Sequence, residues 1–351
     1  MGFYKNVFLK EIGEKKQRKE RGEYNGVPLC YDNYTNYISS IDKGIYYGLV
    51  SGTGNGKSYW ARHTFIYEPL EFSKRTGYKV KILYFALEDS EMQIYKKICA
   101  HYLWKNHGIT ISQKLLDSKE QPLPDKYFRI LQEDEDFYDY FENNVHIFND
   151  DLDPDSILNR CKEYYDVYGD EYHFIVIIDN YANIVKGNYD TEYEAIATLS
   201  RQHIRLYLTK KLGFTVLAIM QSDQDSEKFA ARNASGNISS IEPNLGSIGK
   251  IKIVNQDMHV IWALFNPWRY SILTYPNAKG WNIDCLRNRF RSLIMLKNNL
   301  EEMAPRLGLY FEGNKGIFTE LPPIDQEEAL QRIYVKVLEE ERKFKESRSQ
   351  K

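Results

Sequence analysis

The sequence predicts an α/β fold, a mostly parallel central sheet flanked by helices. Short apolar runs without polar alternation recur between helical stretches: Ile45 to Ser51, Val80 to Glu88, Val145 to Phe148, Phe174 to Asp179 and Thr215 to Gln221. Such runs suit strands buried on both faces, which requires helices on each side of a parallel sheet. The first run opens onto a glycine-rich turn, Ser51-Gly52-Thr53-Gly54-Asn55-Gly56-Lys57-Ser58, that leads into a helical stretch. Three other runs end in Glu88, Asp179 and Gln221. In open parallel sheets the ligand lies beyond the carboxyl ends of the strands, so these residues are expected near that turn if their strands neighbour the first.

The remaining elements follow in order. Residues 3 to about 22 read as a helix that turns basic over Lys15 to Arg21 and is closed by Gly22 and Gly26-Val27-Pro28, either a solvated helix or an arm docking on a neighbouring subunit. Residues 108 to 143 are acidic and Tyr-rich and form a helical insertion between strands. Asp153-Pro154 opens a helix that Gly169 ends, and Thr191-x-x-Glu194, a capping box, opens one that stops at Gly213. Ser222 to Gly249 is a long loop inside the core, of a length that is usually functional. One or two closing strands fall near Gly308 to Phe318, and a charged helix starts at Gln326. The division expected is a basic helical arm over 1–26, a core over 27–322 and a charged tail over 323–351.

Composition narrows the function classes. With 351 residues, 42% of them hydrophobic, the chain is long enough for one large domain with extensions. A net charge of −2 provides no global attraction to nucleic acid or acidic lipid, so a polyanion contact must come from a local patch. Cys30, Cys99, Cys161 and Cys285 are widely spaced, which points to reduced thiols and a cytoplasmic setting without a zinc site. No apolar run approaches the roughly 18 residues of a membrane span. The 28 tyrosines are spread evenly and read as packing residues rather than a base-stacking stripe.

The glycine-rich turn carries the chemistry. Its glycines let the backbone wrap an anion with N–H groups pointing inward, and the helix that follows adds its positive end. Lys57 would reach the β- and γ-phosphates of ATP, and the Ser58 hydroxyl would bind Mg²⁺. Asp179, capping the apolar strand His173 to Ile178, is expected to hold the metal through water; Glu88 is expected to act as general base, and Gln221 to sense the γ-phosphate.

Together these residues resemble the DnaB-like hexameric replicative helicases, a RecA-like P-loop NTPase family that includes bacteriophage helicase-primases. The similarity covers about residues 25 to 320. Ser51 to Ser58 looks like the phage form of the Walker A motif, with Ser51 in the first glycine position. Ala86-Leu87-Glu88 matches the strand bearing the catalytic Glu, Ile177-Ile178-Asp179 the Walker B strand, and Ile219-Met220-Gln221 the sensor strand. Gly246-Ser247-Ile248 followed by Asp257-Met258-His259-Val260-Ile261 is similar to the segment after the DNA-binding loops.

The resemblance implies an ATP-dependent DNA helicase acting as a homo-hexameric ring, with single-stranded DNA in its central pore and a primase or loader as partner, in the cytoplasm of a bacterium or a phage-infected host. It makes Lys228, Arg232, Lys250 and Lys252 the candidate DNA contacts. Family members carry a Lys and an Arg two apart as fingers into the adjacent site; here Lys297 is kept and Asn299 replaces the Arg, leaving Arg306, Arg289 or Arg291 as substitutes. Other readings are a RecA-like recombination or loading factor that binds DNA without unwinding it, and a degenerate P-loop interaction protein. A small-molecule kinase fits poorly with Glu88 and Gln221 at strand ends.

Overall fold

The computed structural model describes residues 3–222, 241–247 and 252–349. Its centre is a nine-stranded sheet. The strands are β1 (Gly26–Pro28), β2 (Ser40–Asp42), β3 (Tyr46–Ser51), β4 (Val80–Ala86), β5 (Val145–Phe148), β6 (His173–Asp179), β7 (Thr215–Gln221), β8 (Val260–Phe265), β9 (Thr274–Tyr275), β10 (Trp281–Asn282), β11 (Phe290–Asn298), β12 (Leu307–Glu312) and β13 (Ile317–Glu320). The large sheet runs β13-β12-β11-β8-β3-β7-β6-β4-β5, while β1 pairs β2 and β9 pairs β10 in small antiparallel ribbons.

From β5 through β4, β6, β7 and β3 to β8 all pairings are parallel, and β11, β12 and β13 continue the sheet antiparallel. The expected strands therefore form with boundaries within one or two residues. Neither β4 nor β6 neighbours β3, however. The order places β7 beside β3, then β6, then β4, so Asp179 and Glu88 stand two and three strands away from the strand that leads into the turn.

Alternating side chains of the buried strands feed two cores. Tyr47, Leu49, Ile82, Tyr84, Ile175, Ile177, Leu217 and Ile219 face one side, where Trp60, Phe65, Leu70, Ile94 and Ile98 cover them. Val50, Leu83, Phe85, Val176, Ile178, Val216 and Ala218 face the other, under Ile157, Cys161, Leu199, Ile204 and Leu208. The covering helices on the first face are α2 (Lys57–Arg62), continued by a π-helical segment His63–Tyr67 and α3 (Glu68–Thr76), and α4 (Glu91–His107).

The insertion is helical, as α5 (Gln113–Leu116), α6 (Asp125–Glu133) and α7 (Glu135–Asn144), and it closes a small core around Tyr102, Leu103 and Ile111. On the second face, α8 (Pro154–Tyr168) starts at Asp153, whose carboxylate accepts from Ser156 N at 2.8 Å, and Gly169 follows its last residue. Such a cap stabilises a helix by about 1 kcal/mol. α9 (Glu192–Thr198) is capped by Thr191, but the Glu194 carboxylate reaches Asp190 N instead of Thr191 N, so the box is shifted by one residue.

The ends behave differently. The C-terminal helix Glu327–Ser349 buries Leu330, Tyr334 and Val337 against Tyr275, Trp281 and Leu286. The N-terminal helix α1, Phe3–Glu20, buries nothing comparable: Tyr4, Val7, Phe8, Leu9 and Ile12 are exposed. Among the described residues no helix is long and apolar enough to cross a membrane.

Candidate nucleotide site

The turn after β3 closes with Gly54 and Gly56 at φ of 75° and 95°, left-handed values that favour glycine. A Cβ at Gly56 would make only ordinary contact with Phe318 and Phe311, at 3.4 and 3.6 Å, so it is the backbone conformation that calls for glycine there. Asn55 N donates to Gly52 O at 3.3 Å, and the first turn of α2 begins with Trp60 N on Gly56 O. Ser51, in the place of the usual first glycine, is fully buried and donates its hydroxyl to Leu264 O of β8 at 2.8 Å. Its side chain therefore ties the turn to the neighbouring strand.

Four strand tips meet above this turn. Lys57 is buried, and its Nζ lies 3.9 Å from Glu88 Oε2. Glu88 follows β4, where Leu87 N donates to Asp179 O at 2.6 Å, so the backbone of one acid-bearing strand end is fastened to the other. Ser90 then caps α4 through a reciprocal box with Gln93. Asn180 Nδ2 donates to Glu88 Oε1 at 2.9 Å; the Asp179–Asn180 peptide is cis.

Asp179 is 3% exposed, and Tyr84 OH donates to its Oδ2 at 3.0 Å. Burial raises its carboxyl above the ordinary carboxylate range, while the Ser58 hydroxyl, Arg62 and Lys57 work against that rise. Its second oxygen, Oδ1, is buried without a hydrogen-bond partner. Gln221 Nε2 donates to Thr53 Oγ1 at 2.7 Å, which joins the β7 tip to the turn. The acids thus reach Lys57 and Ser58 although their strands are not adjacent to β3. Sheet twist turns successive strand tips, and α2 carries Lys57 and Ser58 toward β7.

Two arginines complete the surroundings of the turn. Arg269, in the short helix Pro267–Tyr270 after β8, donates through Nη1 to Thr53 O and, at 3.1 Å, to Asn55 Oδ1. Arg291 of β11, 1% exposed, donates through Nε to Asn55 O. Burial and the neighbouring Arg269 push its guanidinium down to about 10. Sequence reasoning passed over Arg269 and Asn180. Asn180 directly follows the Asp179 strand end, and Arg269 lies just beyond β8, whose unbroken apolar run Val260–Phe265 is the local signal for it.

The other expected residues lie apart from this chain's turn. Lys297 pairs with Ile261, toward the amino end of β8, and its Nζ donates to Asn255 O at 2.7 Å. Arg306 forks onto Glu242 with contacts of 2.9 and 2.6 Å. Arg289 reaches Tyr310 OH and stands 3.8 Å from Glu340. A part for Lys297 or Arg306 in phosphate chemistry therefore requires a neighbouring copy's site; within the chain, only Arg291 of the substitutes touches the turn. Lys228, Arg232 and Lys250 lie outside the described residues, and Lys252 begins the short helix Lys252–Gln256.

Comparison with solved structures identifies this architecture. A DnaB-like replicative helicase, described with its interactions with primase, superposes with a TM-score of 0.62 at 16% identity, over 89% of this chain and 66% of that one. The chain thus spans just under two thirds of that helicase's length. A second solved structure, described as an ATPase domain, superposes with a TM-score of 0.64 at 15% identity, over 90% of this chain and 99% of that domain. The fold is therefore the RecA-like fold of DnaB-like helicase ATPase domains. No protein-family model and no curated protein matches the sequence.

Proposed function

We propose that this chain is an ATP-dependent DNA helicase or translocase that works as a ring-shaped oligomer in replication. The observation that carries the proposal is the meeting of Lys57, Ser58, Glu88, Asp179 and Gln221, from separate strand tips, on one phosphate-shaped turn. A Mg²⁺–ATP complex fits the residues present: the turn's glycines open an anion cradle, and the buried Asp179 Oδ1 lacks a partner beside the Ser58 hydroxyl. When bound, the metal would neutralise charge on the phosphate oxygens.

The chain's own groups divide the remaining work. Lys57 would place its ammonium on the β- and γ-phosphates. Glu88, steadied by Asn180, would take the proton of the attacking water, and Gln221 would contact the γ-phosphate and pass its loss to the segment that begins at Ser222. The exposed apolar side chains Val7, Phe8, Leu9 and Ile12 of α1 support assembly through a second copy, because apolar surface left in water favours association. Lys228, Arg232, Lys250 and Lys252 would contact phosphates of single-stranded DNA, and a ring multiplies their number. A primase or loader would act with the assembled ring.

The test is ATP hydrolysis with and without single-stranded DNA across protein concentration, together with strand separation. The proposal expects DNA stimulation, a cooperative rise with concentration and loss of both in Lys57→Ala. Unstimulated protein that separates no strands at any concentration would reject it.

The second reading, a recombination or loading factor, is favoured by Asn299 in the finger position and by Arg306 being held by Glu242 of its own chain. Electron microscopy with an ATP analogue and single-stranded DNA separates the two, since open helical filaments support the second reading and closed rings the first.

A further inference from the structure

Thr53 is gripped from both sides: Gln221 of β7 holds its hydroxyl, and Arg269, beyond β8, holds its carbonyl. The Arg269 guanidinium is anchored through Nη1 alone. Among the described residues its Nε and Nη2 make no hydrogen bond, and neither Arg269 nor Arg291 has a carboxylate partner. Two guanidiniums thus stand at the apex of the turn with no carboxylate among the described residues to balance them, and the outer one is exposed. Burial lowers the Arg291 guanidinium beneath it, and the neighbouring Arg269 adds to that lowering.

An arginine presents five donors in a planar fork, and its strongest matches are bidentate contacts to carboxylate or phosphate oxygens. Anchoring one nitrogen on the turn fixes the plane and leaves the opposite edge, Nε with Nη2, to receive such a ligand. Gln221 meets the turn at the same residue, so the free edge belongs with the terminal-phosphate end of a bound nucleotide. A surface arginine with a structural role would turn its fork toward a carboxylate, as Arg306 does with Glu242.

We propose that Arg269 is a phosphate-contacting arginine acting in cis, whose free Nε–Nη2 edge engages the terminal phosphate of a nucleoside triphosphate held on Ser51–Ser58 of the same chain. This inference rests on the nucleotide-binding reading of the turn. It would give the site a positive charge from within its own subunit, one that does not depend on Asn299. Arg291 is the positioning residue that keeps the apex rigid through Asn55 O.

The experiment is calorimetric titration of the full chain with Mg²⁺–ATP and Mg²⁺–ADP, for wild type, Arg269→Ala and Arg269→Lys, with Lys57→Ala as reference and thermal melts as a folding control. The expected result is ATP affinity about tenfold or more weaker in Arg269→Ala, the loss of one charge-assisted contact, with ADP weakened much less and Arg269→Lys intermediate. Equal weakening of ATP and ADP would show that Arg269 only braces the turn and would overturn the inference, as would unchanged ATP affinity in a variant that melts like wild type. Wild type that binds neither nucleotide, or binding that survives Lys57→Ala, would remove the nucleotide-site reading itself. The two failures are therefore distinguishable.

Discussion

The side-chain amide of Asn180 donates to Glu88 Oε1 at 2.9 Å, while the other oxygen of that carboxylate stands 3.9 Å from Lys57 Nζ. Asn180 is buried, so its amide has a fixed direction, whereas Glu88 is half exposed and would otherwise sample several rotamers. A general base displaced by about 1 Å can lose on the order of 100-fold in rate. Asn180→Ala is expected to lower the single-turnover hydrolysis rate by about 10- to 100-fold with ATP affinity nearly unchanged. A parallel loss of affinity would mean that Asn180 supports the whole turn rather than Glu88.

Burial of Asp179 carries a stability cost. Burial raises its carboxyl, so the folded state holds that proton more tightly than the unfolded state does. The cost of ionising it is absent below the unfolded value, grows as pH rises, and is fully present above the raised value. Asp179→Asn removes the charge and is expected to melt a few degrees higher at neutral pH without ligand, by about 1 kcal/mol, while losing the extra stabilisation that Mg²⁺ gives to ATP binding. Melting curves with ATP, with and without Mg²⁺, check both parts; a lower melting point without ligand would contradict the first.

The contact between Gln221 and Thr53 bridges the tip of β7 and the turn at 2.7 Å. If Gln221 passes the state of the phosphate to the segment beyond Ser222, then Gln221→Ala is expected to bring the ratio of DNA-stimulated to basal hydrolysis close to one, with basal hydrolysis falling less. A normal ratio at reduced basal rate would instead place Gln221 in the chemistry alone.

A pH effect arises away from the site. His173 is fully buried, contacts Thr215 Oγ1 through Nε2 at 2.7 Å and Tyr78 OH through Nδ1 at 3.1 Å, and burial depresses its pKa to about 3. The unfolded chain takes up this proton near pH 6.5 while the folded chain does not, so stability falls as pH drops below about 6.5 and continues to fall until about 3. His173 contributes a slope of about 1.4 kcal/mol per pH unit in that window, and His101 and His146, each depressed to about 4, add to it in the same direction. Denaturant midpoints between pH 7 and 5 should decline, and His173→Gln should flatten the decline whatever it does to stability at pH 7.

Local chemistry accounts for what was legible in the chain. Largely apolar runs mark β3, β4, β6 and β7, because a strand covered on both faces tolerates little polar alternation, and the edge strand β5 shows a shorter run broken by His146. Asp153, Thr191 and Gly169 mark helix ends, because capping is settled by neighbours within a turn, whereas the segment after Thr191 stops at Thr209, before the expected Gly213. The Ser51–Ser58 turn and the acids at the strand ends were readable for the same reason: each is a short segment whose residue types suit one backbone shape.

What the chain alone left open depends on partners distant in sequence. Strand order is such a property, and it placed β6 and β7 between Glu88 and the turn, so only twist and the path of α2 bring Lys57 to that carboxylate. β8, Val260–Phe265, is itself an unbroken apolar run that local chemistry marks; what no local rule supplies is the place of Arg269, whose contacts to Thr53 and Asn55 span more than 200 positions. The separation of Arg291, on the turn, from Arg306, held by Glu242, is likewise invisible in a list of basic residues. Sequence determines which segments can be strand, helix or phosphate turn, since those choices rest on adjacent residues; tertiary structure decides which charges face one another, since hydrogen bonds and ion pairs act over a few ångströms whatever the distance along the chain.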